Sequence, residues 1–122
     1  MSRDLYERAV AISERAYAPY SKYFVGAAVR TRDGEVFEGV NVENAAYPLG
    51  VCAERTALAK AVSEGYKPGD IEAIGITASP CGGCRQWLYE FRIDEVTFLN
   101  SAGELATYSA AELLPDTWDL PA

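Results

Sequence analysis

Apolar and polar positions along this chain follow two different periods. From Arg3 to Ala18 the apolar residues Leu5, Ala9, Ile12 and Ala16 recur at helical spacing, which predicts an amphipathic helix that Pro19 stops. Val25 to Thr31 reads as a strand, Asp33-Gly34 as a hairpin turn, and Val36 to Val42 as the alternating return strand. Val51 to Glu64 is rich in Ala and Leu and predicts a second helix, with Gly65 as its stop signal. Ile71 to Ala78 is a short apolar run bounded by Asp70 and Pro80, the pattern of a buried strand. A helix over Gly83 to Ile93, a strand over Glu95 to Leu99, a turn over Asn100 to Gly103 and a strand over Leu105 to Tyr108 follow. Ser109 and Glu112 match a capping box that opens a short last helix, ended by Pro115. The order is α-β-β-α-β-α-β-β-α. Strand–helix–strand units around Ile71 and Glu95 imply parallel pairing and helices packed on a mixed sheet, an α/β protein. With no internal repeat and no linker-like stretch, the expectation is one domain over residues 1–122.

Chemistry concentrates at two predicted helix starts. The chain has three cysteines: Cys52, in Cys52-Ala53-Glu54, and Cys81 and Cys84, in Pro80-Cys81-Gly82-Gly83-Cys84. A helix N-terminus favours thiolate through its unpaired N–H groups and dipole. Three thiolates on one zinc ion leave a fourth tetrahedral position open, the pattern of a catalytic rather than a structural site. Glu54, two residues beyond Cys52, is then placed to handle the proton of a water in that position. Three thiolates on Zn2+ also leave a net negative charge, which Arg55 and Arg85, each directly following a site residue, are candidates to offset. Asn41 and Glu43 share one face of the chain just upstream and could bind a pair of ligand hydroxyls.

Composition narrows the partners. Eleven Lys and Arg stand against 18 Asp and Glu, a net charge of −7, which disfavours nucleic acid and anionic membranes. The chain has no histidine, so acid–base work must fall to carboxylates, Lys, Tyr or Cys. No apolar run approaches the roughly 20 residues of a membrane helix. Met1-Ser2-Arg3-Asp4 leads into an amphipathic pattern rather than an apolar leader, so the expected location is cytoplasmic.

Joined together, Cys52-Ala53-Glu54 and Pro80-Cys81-x-x-Cys84 form the zinc-deaminase signature with Cys in the His position. The chain resembles the cytidine and deoxycytidylate deaminase family in its small, three-cysteine, homotetrameric form. The resemblance runs through Ala16-Tyr17-Ala18-Pro19-Tyr20-Ser21-Lys22, Val25-Gly26-Ala27-Ala28, Asn41-Val42-Glu43-Asn44-Ala45-Ala46-Tyr47 and Cys52-Ala53-Glu54-Arg55-Thr56-Ala57. It closes with Ser79-Pro80-Cys81-Gly82-Gly83-Cys84-Arg85-Gln86 and Glu112-Leu113-Leu114-Pro115. It implies a three-layer α/β/α fold with a five-stranded mixed sheet, one Zn2+ per subunit, and hydrolytic deamination of cytidine and 2′-deoxycytidine to the uridines. It also implies a homotetramer whose subunits share active sites. By the same resemblance Glu54 moves the protons, and Asn41 and Glu43 bind the ribose. Tyr23 stands against the base where the family has Phe, and Ala53 belongs to the substrate site. Ala45 and Tyr47 reach in from one neighbour and Trp118, also in a family Phe position, from another. The link Thr77–Pro80 lacks the insertion expected of the family, which points to tolerance of N4- or C5-substituted cytidines.

Three other readings remain in view. A nucleoside-like antibiotic of the blasticidin S type could be the substrate of the same motifs. A thiol oxidoreductase could use Cys81 and Cys84 as a redox pair, leaving Cys52 and Glu54 unexplained. A structural zinc module would need a carboxylate as its fourth ligand.

Overall fold

Small residues let the helices lie directly on the sheet. The computed structural model describes residues 2–120; Met1, Pro121 and Ala122, the ends of the expected 1–122 domain, lie outside the described residues. The elements are α1 (Arg3–Ser13), β1 (Gly26–Thr31), β2 (Val36–Val40), a 3-10 turn (Tyr47–Leu49), α2 (Ala53–Ser63) and β3 (Ile71–Ile76). They continue with α3 (Gly82–Glu90), β4 (Glu95–Leu99), β5 (Leu105–Tyr108) and α4 (Ala110–Leu113). The five strands form one sheet in the order β2-β1-β3-β4-β5. Of these strands β3 and β4 pair in parallel, joined by the α3 crossover, and the other neighbouring pairs are antiparallel. The sheet is therefore mixed, as the strand–helix–strand pattern predicts.

Helices cover both faces. On one, Leu5 packs with Ala28 and Ala73 beneath α1. A Cβ added at Gly75 would lie 2.3 Å from the backbone N of Tyr6, so glycine is what allows α1 to seat there. The other face carries the larger core, where Leu58, Leu88, Ile74, Ile76, Val96 and Phe98 meet beneath α2 and α3. Leu58, Ile74, Ile76 and Leu88 are fully buried, and truncating such a residue to Ala costs about 2–5 kcal/mol. Gly39 plays on this side the part of Gly75: a Cβ would fall 2.4 Å from Ala57 N. The expected capping box is formed, with the Ser109 hydroxyl accepting from Glu112 N–H and the Glu112 carboxylate accepting from Ser109 N–H.

Several boundaries differ from the periodic reading: β3 ends at Ile76 rather than Ala78, α3 runs Gly82–Glu90 rather than Gly83–Ile93, and three others set up the site. The first helix ends at Ser13 rather than Ala18, because Tyr17 donates its N–H to Asn41 O and accepts from Glu43 N–H. The second strand ends at Val40; Val42 instead exchanges both backbone hydrogen bonds with Val51. The helix expected from Val51 starts at Ala53, so Cys52 is its N-cap. Antiparallel pairing on both sides of β1 makes β2 and β3 run the same way. Their carboxyl ends, which lead to α2 and α3, thus emerge at one end of the sheet, beside the residues preceding β1.

Candidate metal centre and active site

That shared end brings the three cysteines together from two loops. Cys52 caps α2, Cys81 caps α3 and Cys84 lies in the first turn of α3. Their sulfurs all lie within 4.8 Å of one another. Thiolates bind zinc at about 2.3 Å, so small side-chain rotations suffice for all three to share one ion. Cys81 Sγ accepts from Cys84 N–H at 3.4 Å. Burial pushes the Cys81 thiol up, but the Cys84 and Gly83 backbone N–H groups and the neighbouring sulfurs outweigh it and hold Cys81 below its ordinary range. For Cys84 burial wins, joined by the Glu54 charge, and its thiol is driven far upward; Cys52 is also raised, by burial first. Of the three thiols, only that of Cys81 is thus shifted toward thiolate by the surrounding protein groups. A divalent cation deprotonates coordinating thiols outright, so the donor set matches a metal better than a free dithiol.

Glu54 sits one residue into α2 and is only 4% exposed. Burial raises its carboxyl above the ordinary range, against its own backbone N–H, the Cys84 thiol and the Arg55 charge, which lower it. Arg55 lies against the same sulfurs. Burial disfavours its charge, but Cys84, Cys52 and Cys81 outweigh that. Its Nε is buried without a hydrogen-bond partner, and its guanidinium carbon lies 5.9 Å from the centre of the Trp87 ring. A cation with a donor to spare, beside three sulfurs, is the counter-charge that a tris-thiolate zinc needs. Gly83 leaves room for it: a Cβ there would fall 2.4 Å from Arg55 Nη2.

Arg85 is engaged elsewhere. Nε donates to Pro80 O at 2.9 Å, one Nη to Leu113 O at 3.2 Å and the other to Ser79 Oγ at 3.3 Å. It ties the loop that delivers Cys81 to α4, a bracing task rather than the direct charge relief its sequence position suggested. Asn41 and Glu43 both reach the loop before β1, which takes much of their hydrogen-bonding capacity. Asn41 Oδ1 accepts from Val25 N–H and Nδ2 donates to Tyr23 O, both at 2.9 Å. Glu43 Oε1 accepts from the N–H groups of Tyr20 and Ser21, each at 3.1 Å, and Oε2 from the Ser21 hydroxyl. Ala53 is fully buried at the start of α2, whereas Tyr23 is exposed. Ala45 is exposed too. Tyr47 is 90% and Trp118 73% exposed, so neither packs against the sulfurs of its own chain.

Residues 1–100 match the family model of the cytidine and deoxycytidylate deaminase zinc-binding region. The chain belongs to that deaminase family. Among relatives, it is 44% identical over 119 residues to a cytidine deaminase of Halalkalibacterium halodurans, covering 91% of this chain and 89% of the relative. A blasticidin-S deaminase of Bacillus cereus is 32% identical over 107 residues, 78% of this chain and 76% of that protein. The crystal structure of a cytidine deaminase from Burkholderia pseudomallei superposes with a TM-score of 0.89 at 47% identity, covering 97% of this chain and 99% of that one. The five-stranded α/β fold is therefore that of the deaminase family, and the three-cysteine cluster fits its single zinc ion. Four residues of this deaminase escaped the sequence reading: Ser21, Ser79, Gly83 and Trp87. All but Trp87 stand inside blocks of the resemblance, but polar or small residues there carry no chemical signal until their partners are known.

Proposed function

We propose that this deaminase hydrolyses cytidine and 2′-deoxycytidine to uridine and 2′-deoxyuridine with release of ammonia. The observation that carries the reading is a buried carboxyl, Glu54, held beside three converging sulfurs. A zinc ion held by Cys52, Cys81 and Cys84 would supply Lewis acidity and lower the pKa of a water toward neutrality. The proton movements fall to Glu54. Its carboxylate takes a proton from the attacking water, delivers one to N3 of the pyrimidine and passes one to the departing amine. Water adds at C4, the bond from C4 to the exocyclic nitrogen breaks, and ammonia leaves. One buried carboxyl suits this double duty, because it can return to the substrate each proton it takes from the water.

Around that centre, Ala53 lies in the substrate site, Tyr23 stands against the base, and Asn41 and Glu43 take the ribose hydroxyls with the capacity the loop leaves them. Ala45, Tyr47 and Trp118 complete neighbouring sites within a homotetramer. Support for shared sites comes from the exposure of Tyr23, Tyr47, Leu49 and Trp118, apolar side chains that neighbouring copies would cover. The same reading gives a cytoplasmic enzyme of pyrimidine salvage. Among the described residues no helix is long and apolar enough to cross a membrane. The short Thr77–Pro80 link supports entry of N4- or C5-substituted cytidines. The test is a panel of cytosine nucleosides, blasticidin S and N4-alkylcytidine, followed by absorbance change and by release of ammonia, or of the alkylamine from the N4-alkyl compound. Turnover of cytidine and deoxycytidine is expected, with slower turnover of the N4-alkyl compound. Deamination of blasticidin S alone would instead favour the antibiotic reading.

A further inference from the structure

Resting on that nucleoside reading, we propose that Ser21 is a positioning residue that joins recognition of the sugar hydroxyls to placement of the Tyr23 ring. The Ser21 hydroxyl donates to Glu43 Oε2 and accepts from the N–H of Tyr23 at 3.0 Å. The carbonyl of Tyr23 accepts from Asn41 Nδ2 at 2.9 Å. Both backbone groups of Tyr23 are thus held by the side chains proposed to bind the sugar, one directly and one through Ser21. Between them Lys22 adopts φ 61°, a left-handed conformation that a residue with a side chain enters only when its surroundings hold it there.

The acceptor count shows why the link reaches the ligand. An ionised carboxylate offers about four acceptor sites, and Tyr20, Ser21 N–H and Ser21 Oγ–H occupy three of them on Glu43. The site left over lies on Oε2, the oxygen that Ser21 already bonds. Asn41 likewise keeps one N–H and one lone pair after its bonds to Tyr23 and Val25. A sugar hydroxyl that donates to Glu43 and accepts from Asn41 therefore completes a network whose other end fixes Tyr23. Charge supports the arrangement: the Ser21 hydroxyl, its N–H and the Tyr20 N–H, with Lys22 nearby, hold Glu43 below the ordinary carboxylate range. Removing the Ser21 hydroxyl leaves the Tyr23 N–H without its acceptor and Glu43 Oε2 without its donor, so the carboxylate is held through Oε1 alone by the Tyr20 and Ser21 N–H groups.

The experiment compares Ser21→Ala, and the isosteric pair Ser21→Thr and Ser21→Val, on cytidine and on 2′,3′-dideoxycytidine. In the unaltered enzyme the substrate lacking hydroxyls should have the higher KM. Ser21→Ala and Ser21→Val should raise the KM for cytidine about tenfold, the scale of a hydrogen bond to a charged group. They should change kcat less than about twofold and narrow the KM gap between the two substrates, with zinc content unaltered. Ser21→Thr, which keeps the hydroxyl, should retain the gap. Because Thr and Val differ only in that hydroxyl, their comparison stands even if the alanine variant folds poorly. A KM raised equally for both substrates, or Val behaving as Thr does, would overturn the role of Ser21 alone. An unaltered protein inert toward cytidine would overturn the functional reading and this role with it.

Discussion

At Glu54 and Gly83 single atoms decide what the site can do. Glu54→Gln keeps the shape and hydrogen-bonding reach of the side chain but abolishes its proton affinity. Turnover should fall by about 10²–10⁴-fold while one zinc per chain is retained. Metal analysis beside steady-state rates checks this, and near-normal turnover would remove Glu54 from the proton path. Gly83 supports the site differently, since its missing Cβ leaves space for the Arg55 guanidinium against the sulfurs. Gly83→Ala should not harm α3 as a helix, because Ala is the better helix former. Its methyl nevertheless displaces Arg55. Zinc affinity should therefore fall by about 10–100-fold, the usual cost of losing a partner that orients or balances metal ligands. Competition with a chromogenic chelator reads this directly; unchanged affinity would show that Arg55 does not serve the sulfurs.

Among the elements, the segment between α1 and β1 depends on pH through Glu43. Its folded pKa is depressed by Ser21 first, so the bonded carboxylate is fully favoured above its unfolded value of about 4.3 and lost as pH falls through the lower folded value. The KM for cytidine should accordingly rise on the acid side, below the ordinary carboxylate range, before the fold itself gives way; KM profiles beside circular dichroism separate the two. How far this was legible in the sequence follows from the same residues. The helices and strands announce themselves through apolar periodicity, and Cys52, Cys81 and Cys84 through their chemistry. Element ends do not, because Tyr17 leaves the helical path to pair with Asn41 and Glu43, and Val42 leaves its strand to pair with Val51. Those pairings bring distant segments together, and no local window contains them. The task of Arg85 was hidden for the same reason: one of its acceptors, Leu113 O, belongs to α4, 28 residues further along. Asn41 and Glu43 were recognisable as polar groups on one face, yet their bonds to Tyr20, Ser21, Tyr23 and Val25 required the loop to be seen folded back.

At the scale of the whole molecule, the proposed homotetramer with shared sites makes a prediction of its own. Burying Tyr47, Leu49 and Trp118 against other copies of the chain would remove apolar area from water at roughly 25 cal/mol per Å2, and would carry residues of one chain to the sulfurs of another. If sites are shared in this way, inactive chains should rescue one another. A Glu54→Gln chain lacks the proton carrier but keeps Trp118, whereas a Trp118→Ala chain keeps Glu54 and lacks the ring. In a mixed oligomer some sites combine Glu54 of the second chain with Trp118 of the first and are complete. Mixing the two variants after mild dissociation, or expressing them together, should restore activity above the sum of the separate preparations. Each preparation alone should run at the mass of four chains. Without shared sites every active centre would draw both groups from one chain, mixing would only average two poor enzymes, and additive rates would rule the shared arrangement out.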